Sequence, residues 1–197
     1  MKTPVVIALH YQNDVLHEHG KIKVGLGDDP AARQHLVSAA SLLLSGARDQ
    51  GWPIFHVRVA YSADYGDLIQ NAPIFKNVAK VGAVLEGSWG AEFLDALKPQ
   101  DSALEQVITH NRINAFYGTR LEELIASINN PVLIVAGVAT HSVVESTVRH
   151  AVDCGYEVSV VADACASAST LTHEASLNNM TLIADITRVS DVMRAFT

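Results

Sequence analysis

Val5-Val6-Ile7-Ala8-Leu9, followed at once by His10-Tyr11-Gln12-Asn13-Asp14, is the stretch that decides the fold. A strand with one wet face alternates apolar and polar residues, whereas this run is apolar throughout and mostly β-branched. It therefore reads as a strand covered on both faces, which is the habit of parallel sheets. The polar cluster after it then sits at the carboxyl end of that strand. Downstream, Leu36, Ala39, Ala40, Leu43, Leu44 and Ala47 recur at helical spacing over residues 30–50, Gly51 is a stop signal, and Ile54-Phe55-His56-Val57-Arg58-Val59 reads as a second strand.

Residues 60–106 are less regular, with a short helix expected at 91–97; an insertion of this length in an α/β domain covers or lines a pocket. The alternation then resumes. Strands are expected at 106–109, 132–136, 157–162 and 182–184, and helices at 119–127, 142–153 and 172–179. Repeated β-α-β units with right-handed crossovers give an α/β architecture, a doubly wound, mostly parallel sheet with helices on both faces. In such sheets ligands bind outside the carboxyl ends of the strands at the switch in strand order. Three segments fall there: 10–14, 110–116 and 137–144.

Composition agrees with one globular domain over 1–197. Hydrophobic residues make up 49% and charged residues 18% of the 197, with a mean hydropathy of +0.18. That is ample for a core, with a surplus that suits a subunit interface in a homo-oligomer, a dimer or tetramer. The net charge of -7 and the scatter of the 14 Lys and Arg disfavour nucleic acid and anionic lipid as partners. The apolar run at Val5 is too short for a signal-peptide core or a membrane span, so a cytoplasmic location is expected. The two cysteines, Cys154 and Cys165, make no disulfide framework and are expected to be ordinary buried thiols.

The three strand-end segments resemble the signatures of the isochorismatase-like cysteine hydrolase superfamily. Leu9-His10-Tyr11-Gln12-Asn13-Asp14 resembles Asp-x-Gln-Asn-Asp-Phe, with His10 where the family has its catalytic Asp. The segment from His110 through Asn114-Ala115-Phe116-Tyr117-Gly118-Thr119 resembles one that opens with a catalytic Lys, here His110. Gly137-Val138-Ala139-Thr140-His141-Ser142-Val143 resembles the segment that carries the Cys nucleophile, and Val143 stands in its place. The likeness continues through Gly155-Tyr156-Glu157-Val158 and Ala162-Asp163-Ala164-Cys165. It implies the fold, a small-molecule ligand, a non-proline cis peptide in the 137–140 turn that helps form an oxyanion hole, and a substrate pocket built by Gln12, Trp89, Phe116, Ala139, Thr140 and His141.

Valine has no lone pair to attack with, so a thioester route through position 143 is closed. The true isochorismatases also lack the Cys and carry a His two residues before it, as His141 stands here, but they keep the Asp and the Lys. Two chemistries remain for His10 and His110: imidazole acid/base catalysis, or a divalent metal held by His10, Asp14 and His110, with His141 nearby, that activates water. No cofactor is otherwise implied. The alternative is a catalytically silent homologue that binds a small ligand or a partner. Ser142 is expected to cap the helix that follows. Tyr11, Trp89, Phe116 and Tyr117 are candidates for an apolar pocket wall.

Overall fold

The computed structural model describes residues 2–22, 26 and 29–196. Its centre is a six-stranded sheet: β1 (Thr3–Leu9), β2 (Ile54–Val59), β3 (Glu105–His110), β4 (Pro131–Val138), β5 (Glu157–Ala166) and β6 (Asp185–Thr187). All neighbouring pairs run parallel, in the order β3-β2-β1-β4-β5-β6. β1 is central, and its residues Val5 to Leu9 are almost wholly buried, as expected of an unbroken apolar run. The order reverses on either side of β1, so the crevice beyond β1 and β4 is the place this topology reserves for a ligand.

Among the described residues, seven helices pack around the sheet: α1 (Asn13–Leu16), α2 (Pro30–Asp49), α3 (Pro73–Val81), α4 (Leu121–Ala126), α5 (Glu145–Asp153), α6 (Thr170–Met180) and α7 (Val189–Ala195). α2 starts where Asp29 accepts hydrogen bonds from the Ala31 and Ala32 N–H groups with Pro30 in the first turn, and it buries Leu36, Ala40, Leu43, Leu44 and Ala47. Among the described residues no helix is long and apolar enough to cross a membrane.

Several local expectations need correction. In place of the helix expected at 91–97 there are two short 3-10 turns, Trp89–Ala91 and Asp95–Leu97. A helix is precluded between them because Glu92 O accepts from Asn13 N and Leu94 N donates to Tyr11 O, in the manner of a strand. The last strand lies at Asp185–Thr187 rather than 182–184, since Ile183 N and Ala184 N both donate to Met180 O and carry the turn of α6 onward. The helix expected from 142 begins as a π-turn, Thr140–Val144, and becomes α-helical at Glu145. Ser142 lies inside that turn, and neither Ala139 nor Val144, the residues at the two starts, makes a side-chain cap. Cys165 is buried, but Cys154 at the end of α5 is exposed.

Candidate active site

β1 ends at Leu9 and the chain turns out of the sheet at His10, whose φ of 56° lies in the left-handed region. That conformation is uncommon outside glycine and is held here by His10 N donating to Val57 O. β3 ends at His110, two strands away. The two imidazoles meet with Nε2 to Nε2 at 2.5 Å and ring centroids 4.8 Å apart. His110 Nδ1 donates a hydrogen bond to the Asn114 carbonyl at 3.2 Å. Across the Nε2–Nε2 contact one ring donates and the other accepts, so the two imidazoles share a single proton there.

Burial pushes His10 well below the usual imidazole range and the neighbouring His110 adds to that, while a hydrogen bond with the Val138 backbone works the other way. Burial likewise lowers His110, to about 4, against an opposing hydrogen bond at Asn114. Both rings are therefore neutral near neutral pH.

His10 forms part of the wall of a cavity of about 70 Å³. Its other walls are Val59 and Tyr61 beyond β2, Phe75 and Val78 on α3, Arg112 and Ile113 after β3, and Val138, Ala139, Ser142 and Val143 after β4. The lining is largely apolar. Among the described residues Arg112 is its one strongly basic group, fixed by donation to Ile69 O at 3.0 Å and Asn71 Oδ1 at 2.9 Å and by stacking 3.9 Å over the Phe75 ring. The Val138–Ala139 peptide is cis. Gly137, at φ 148°, brings β4 so close to β1 that a Cβ would collide with the Leu9 carbonyl. No thiol lines this cavity among the described residues. Burial raises Cys165 to about 12.

The remaining candidate residues divide into scaffold and periphery. Gln12 is fully buried: its Nε2 donates to Val59 O and Ala91 O, and its Oε1 accepts from Val59 N, each at 2.8 Å. Asp14 is 2% exposed, with both oxygens engaged: Lys21 N donates at 3.0 Å and Val84 N at 2.7 Å. Tyr11 donates to Ala164 O at 2.6 Å. Thr140 Oγ1 pairs with His173 Nδ1, and His141 Nδ1 with Ser167 Oγ, both at 2.8 Å. Trp89 is half exposed and packs edge-on against His17, Tyr117 is exposed, and Phe116 is buried against His150. Of the residues the sequence pointed to, the structure brings His10, Ala139, Ser142 and Val143 to one cavity with His110 directly behind His10.

Sequence reasoning missed the α3 wall and Arg112. Pro73 and Gly82, bracketing Phe75 and Val78 at i, i+3, were the available signal for α3.

The Isochorismatase domain matches residues 4–192. The chain is 30% identical to the uncharacterized isochorismatase family protein YecD of Escherichia coli over 195 residues, 98% of this chain and 96% of the relative. It is 29% identical to maleamate amidohydrolase of Pseudomonas putida over 145 residues, 72% of this chain and 64% of that protein. A probable inactive nicotinamidase of Arabidopsis thaliana is 34% identical over 102 residues, 51% of this chain and 52% of that one. Among solved structures, an isochorismatase family protein from Desulfovibrio vulgaris superposes with a TM-score of 0.86 at 24% identity over 99% of this chain and 98% of that one.

Proposed function

We propose, from the premise that this chain belongs to the isochorismatase family, that it is a small-molecule hydrolase working without a thiol nucleophile, with His10 as general base and acid. The observation that carries this reading is the 2.5 Å contact between the His10 and His110 imidazoles at the edge of a largely apolar cavity. The resemblance aligns these positions with a family Asp and Lys, and Val143 with the Cys. A neutral imidazole pair replaces an ion pair without adding net charge to a buried site. In this reading His10 takes a proton from an attacking water and returns it to the leaving group. His110, oriented by Asn114, is a positioning residue that shares the charge in between.

A metal fits this pair poorly. Two nitrogens on one tetrahedral Zn²⁺ sit about 3.3 Å apart, so the rings would have to part, and Asp14 has both oxygens engaged elsewhere. A cavity of about 70 Å³ suits a compact, mostly apolar substrate, and Arg112 favours one carrying a negative group. The protein acts on it in the cytoplasm, with no nucleic-acid or membrane partner.

The alternative, a silent homologue that binds a ligand without converting it, is favoured by the fact that each Nε2 is already satisfied by the other ring. One experiment separates the two. The purified protein is screened against maleamate, nicotinamide, ureidoacrylate and small vinyl ethers, with and without a chelator. Turnover that survives the chelator and disappears in His10→Ala supports the hydrolase; saturable binding with no turnover establishes the silent binder; turnover lost to the chelator establishes a metal.

A further inference from the structure

Away from the cavity, α4 and the end of α5 bring together three different metal-ligand types. Glu122, in the first turn of α4, His150, in the last turn of α5, and Cys154, at the C-cap of α5, offer ligand atoms that all lie within 4.8 Å of one another. His150 and Cys154 stand at i, i+4, so they share one face of the helix end. The Cys154 Sγ donates to Glu122 Oε1 at 3.7 Å. In a tetrahedral zinc site, sulfur at about 2.3 Å and oxygen at about 2.0 Å from the ion stand about 3.5 Å apart, so this pair is already spaced as two ligands would be. Small side-chain rotations close the rest, because both Glu122 and Cys154 are exposed.

The third ligand is less free. The His150 ring stacks on Phe116, with centroids 4.8 Å apart and planes 11° from parallel. Phe116 is itself 4% exposed, so a buried ring fixes the orientation of the imidazole. No other group of three such residues with this convergence occurs among the described residues.

We propose that Glu122, His150 and Cys154 form a peripheral binding site for Zn²⁺ or a similarly soft divalent ion, tying α4 to α5 and leaving the fourth position to water. The donor set selects this class: thiolate and imidazole favour zinc over magnesium or calcium, and carboxylate plus thiolate supply two negative charges against the ion's two positive ones. Binding replaces the S–H bond of Cys154 with an S–Zn bond and releases that proton to solvent. Because binding releases that proton, affinity tightens as pH rises.

The test uses the full chain stripped of metal by chelation and dialysis. Zn²⁺ is titrated against a chromogenic competitor, and Co²⁺ binding is followed by its absorption spectrum, for the wild type and for Cys154→Ser, His150→Asn, Glu122→Gln and His10→Ala. The expected result is one equivalent of Zn²⁺, a thiolate-to-Co²⁺ charge-transfer band absent from Cys154→Ser, and affinity weaker by at least about tenfold in each of the three site variants, the lower end of the loss seen even for outer-shell partners of a metal. His10→Ala should bind as the wild type does. Circular dichroism verifies that the variants remain folded. The proposal is overturned by sub-stoichiometric uptake, by a Co²⁺ spectrum without the charge-transfer band, or by binding that ignores Cys154→Ser and vanishes in His10→Ala, which would place the ion at the imidazole pair.

Discussion

Acid should loosen this fold through the His10–His110 pair before its carboxylates begin to matter. In the unfolded chain His110 titrates at the ordinary 6.5, whereas in the folded protein it titrates at about 4. The unfolded state therefore holds the proton more readily, so the stability from keeping this ring neutral is complete above 6.5 and is lost as pH falls towards 4. With those two values, lowering the pH from about 7 to about 5 costs about 2 kcal/mol from His110 alone. His10, lowered for the same cause, adds in the same direction. Glu105 does not intrude: burial works to raise it, but Arg48, the Gln100 N–H and His56 outweigh that and hold it at about 2, so its contribution fades only at pH values below those compared. His56, also lowered by burial, titrates in the same window but does so equally in wild type and variant. The assay is urea unfolding at both pH values for the wild type and His110→Gln, whose amide keeps a polar group in place and cannot titrate. The variant will be less stable throughout, but its loss on acidification should be smaller by about 2 kcal/mol or more. An identical acid loss in both proteins refutes the reasoning.

Charge substitution probes the same pair. His110→Lys places an ammonium in a buried site beside a neutral ring and should cost about 3–5 kcal/mol; adding His10→Asp supplies the opposite charge, so the double variant should be more stable than the sum of the singles by more than about 1 kcal/mol. Additive values from denaturant unfolding would contradict this. Val143→Cys should place a thiol on the cavity wall, and a small alkylating agent followed by mass spectrometry should then modify two sites, 143 and 154, where the wild type shows only Cys154; no labelling at 143 would show that the cavity is closed to small molecules. Gly90→Ala would drive a Cβ into the Asp14 carboxylate and should cost about 1–3 kcal/mol, seen as a lower melting temperature; an unchanged melting temperature counts against Asp14 as a rigid strut.

What could be read from the chain in advance follows from which signals are local. A parallel strand buried on both faces is written as an unbroken apolar run, so Val5 to Leu9 and Val132 to Ala136 announce themselves, and with them the crevice beyond their ends. The α3 wall was less legible because its helix has nine residues and only Phe75 and Val78 buried. β6 pairs only three residues and lies at the edge of the sheet, and Leu182, which looked like strand, is 90% exposed. The contact between His10 and His110 joins residues 100 apart in the chain. Their facing each other is a product of strand order and of a left-handed turn at His10. The Glu122, His150 and Cys154 grouping had half a signal, the i, i+4 spacing on α5, and needed the packing of α4 to supply the rest.

The division of labour around the cavity explains how such a fold can change its chemistry without losing its shape. Gln12 bonds both the N–H and the carbonyl of Val59 and thereby pins the end of β2, while Asp14 holds Val84, whose φ of 46° is unusual for a β-branched residue. Gly137 lets β4 approach β1. Each of these three satisfies backbone groups or makes room for a close approach, and replacing any of them leaves buried polar groups unpaired or atoms overlapping. His10, Val143 and Ser142 face the cavity, and of these only His10 makes a side-chain hydrogen bond that spans strands. Their replacement alters what the cavity can do and costs the scaffold comparatively little. Gln12, Asp14 and Gly137 therefore carry the fold, and under the proposed function the cavity-facing side chains carry the chemistry. Transplanting Cys at 143 together with Asp at 10 and Lys at 110 should consequently give a folded protein, whether or not it gives an active one.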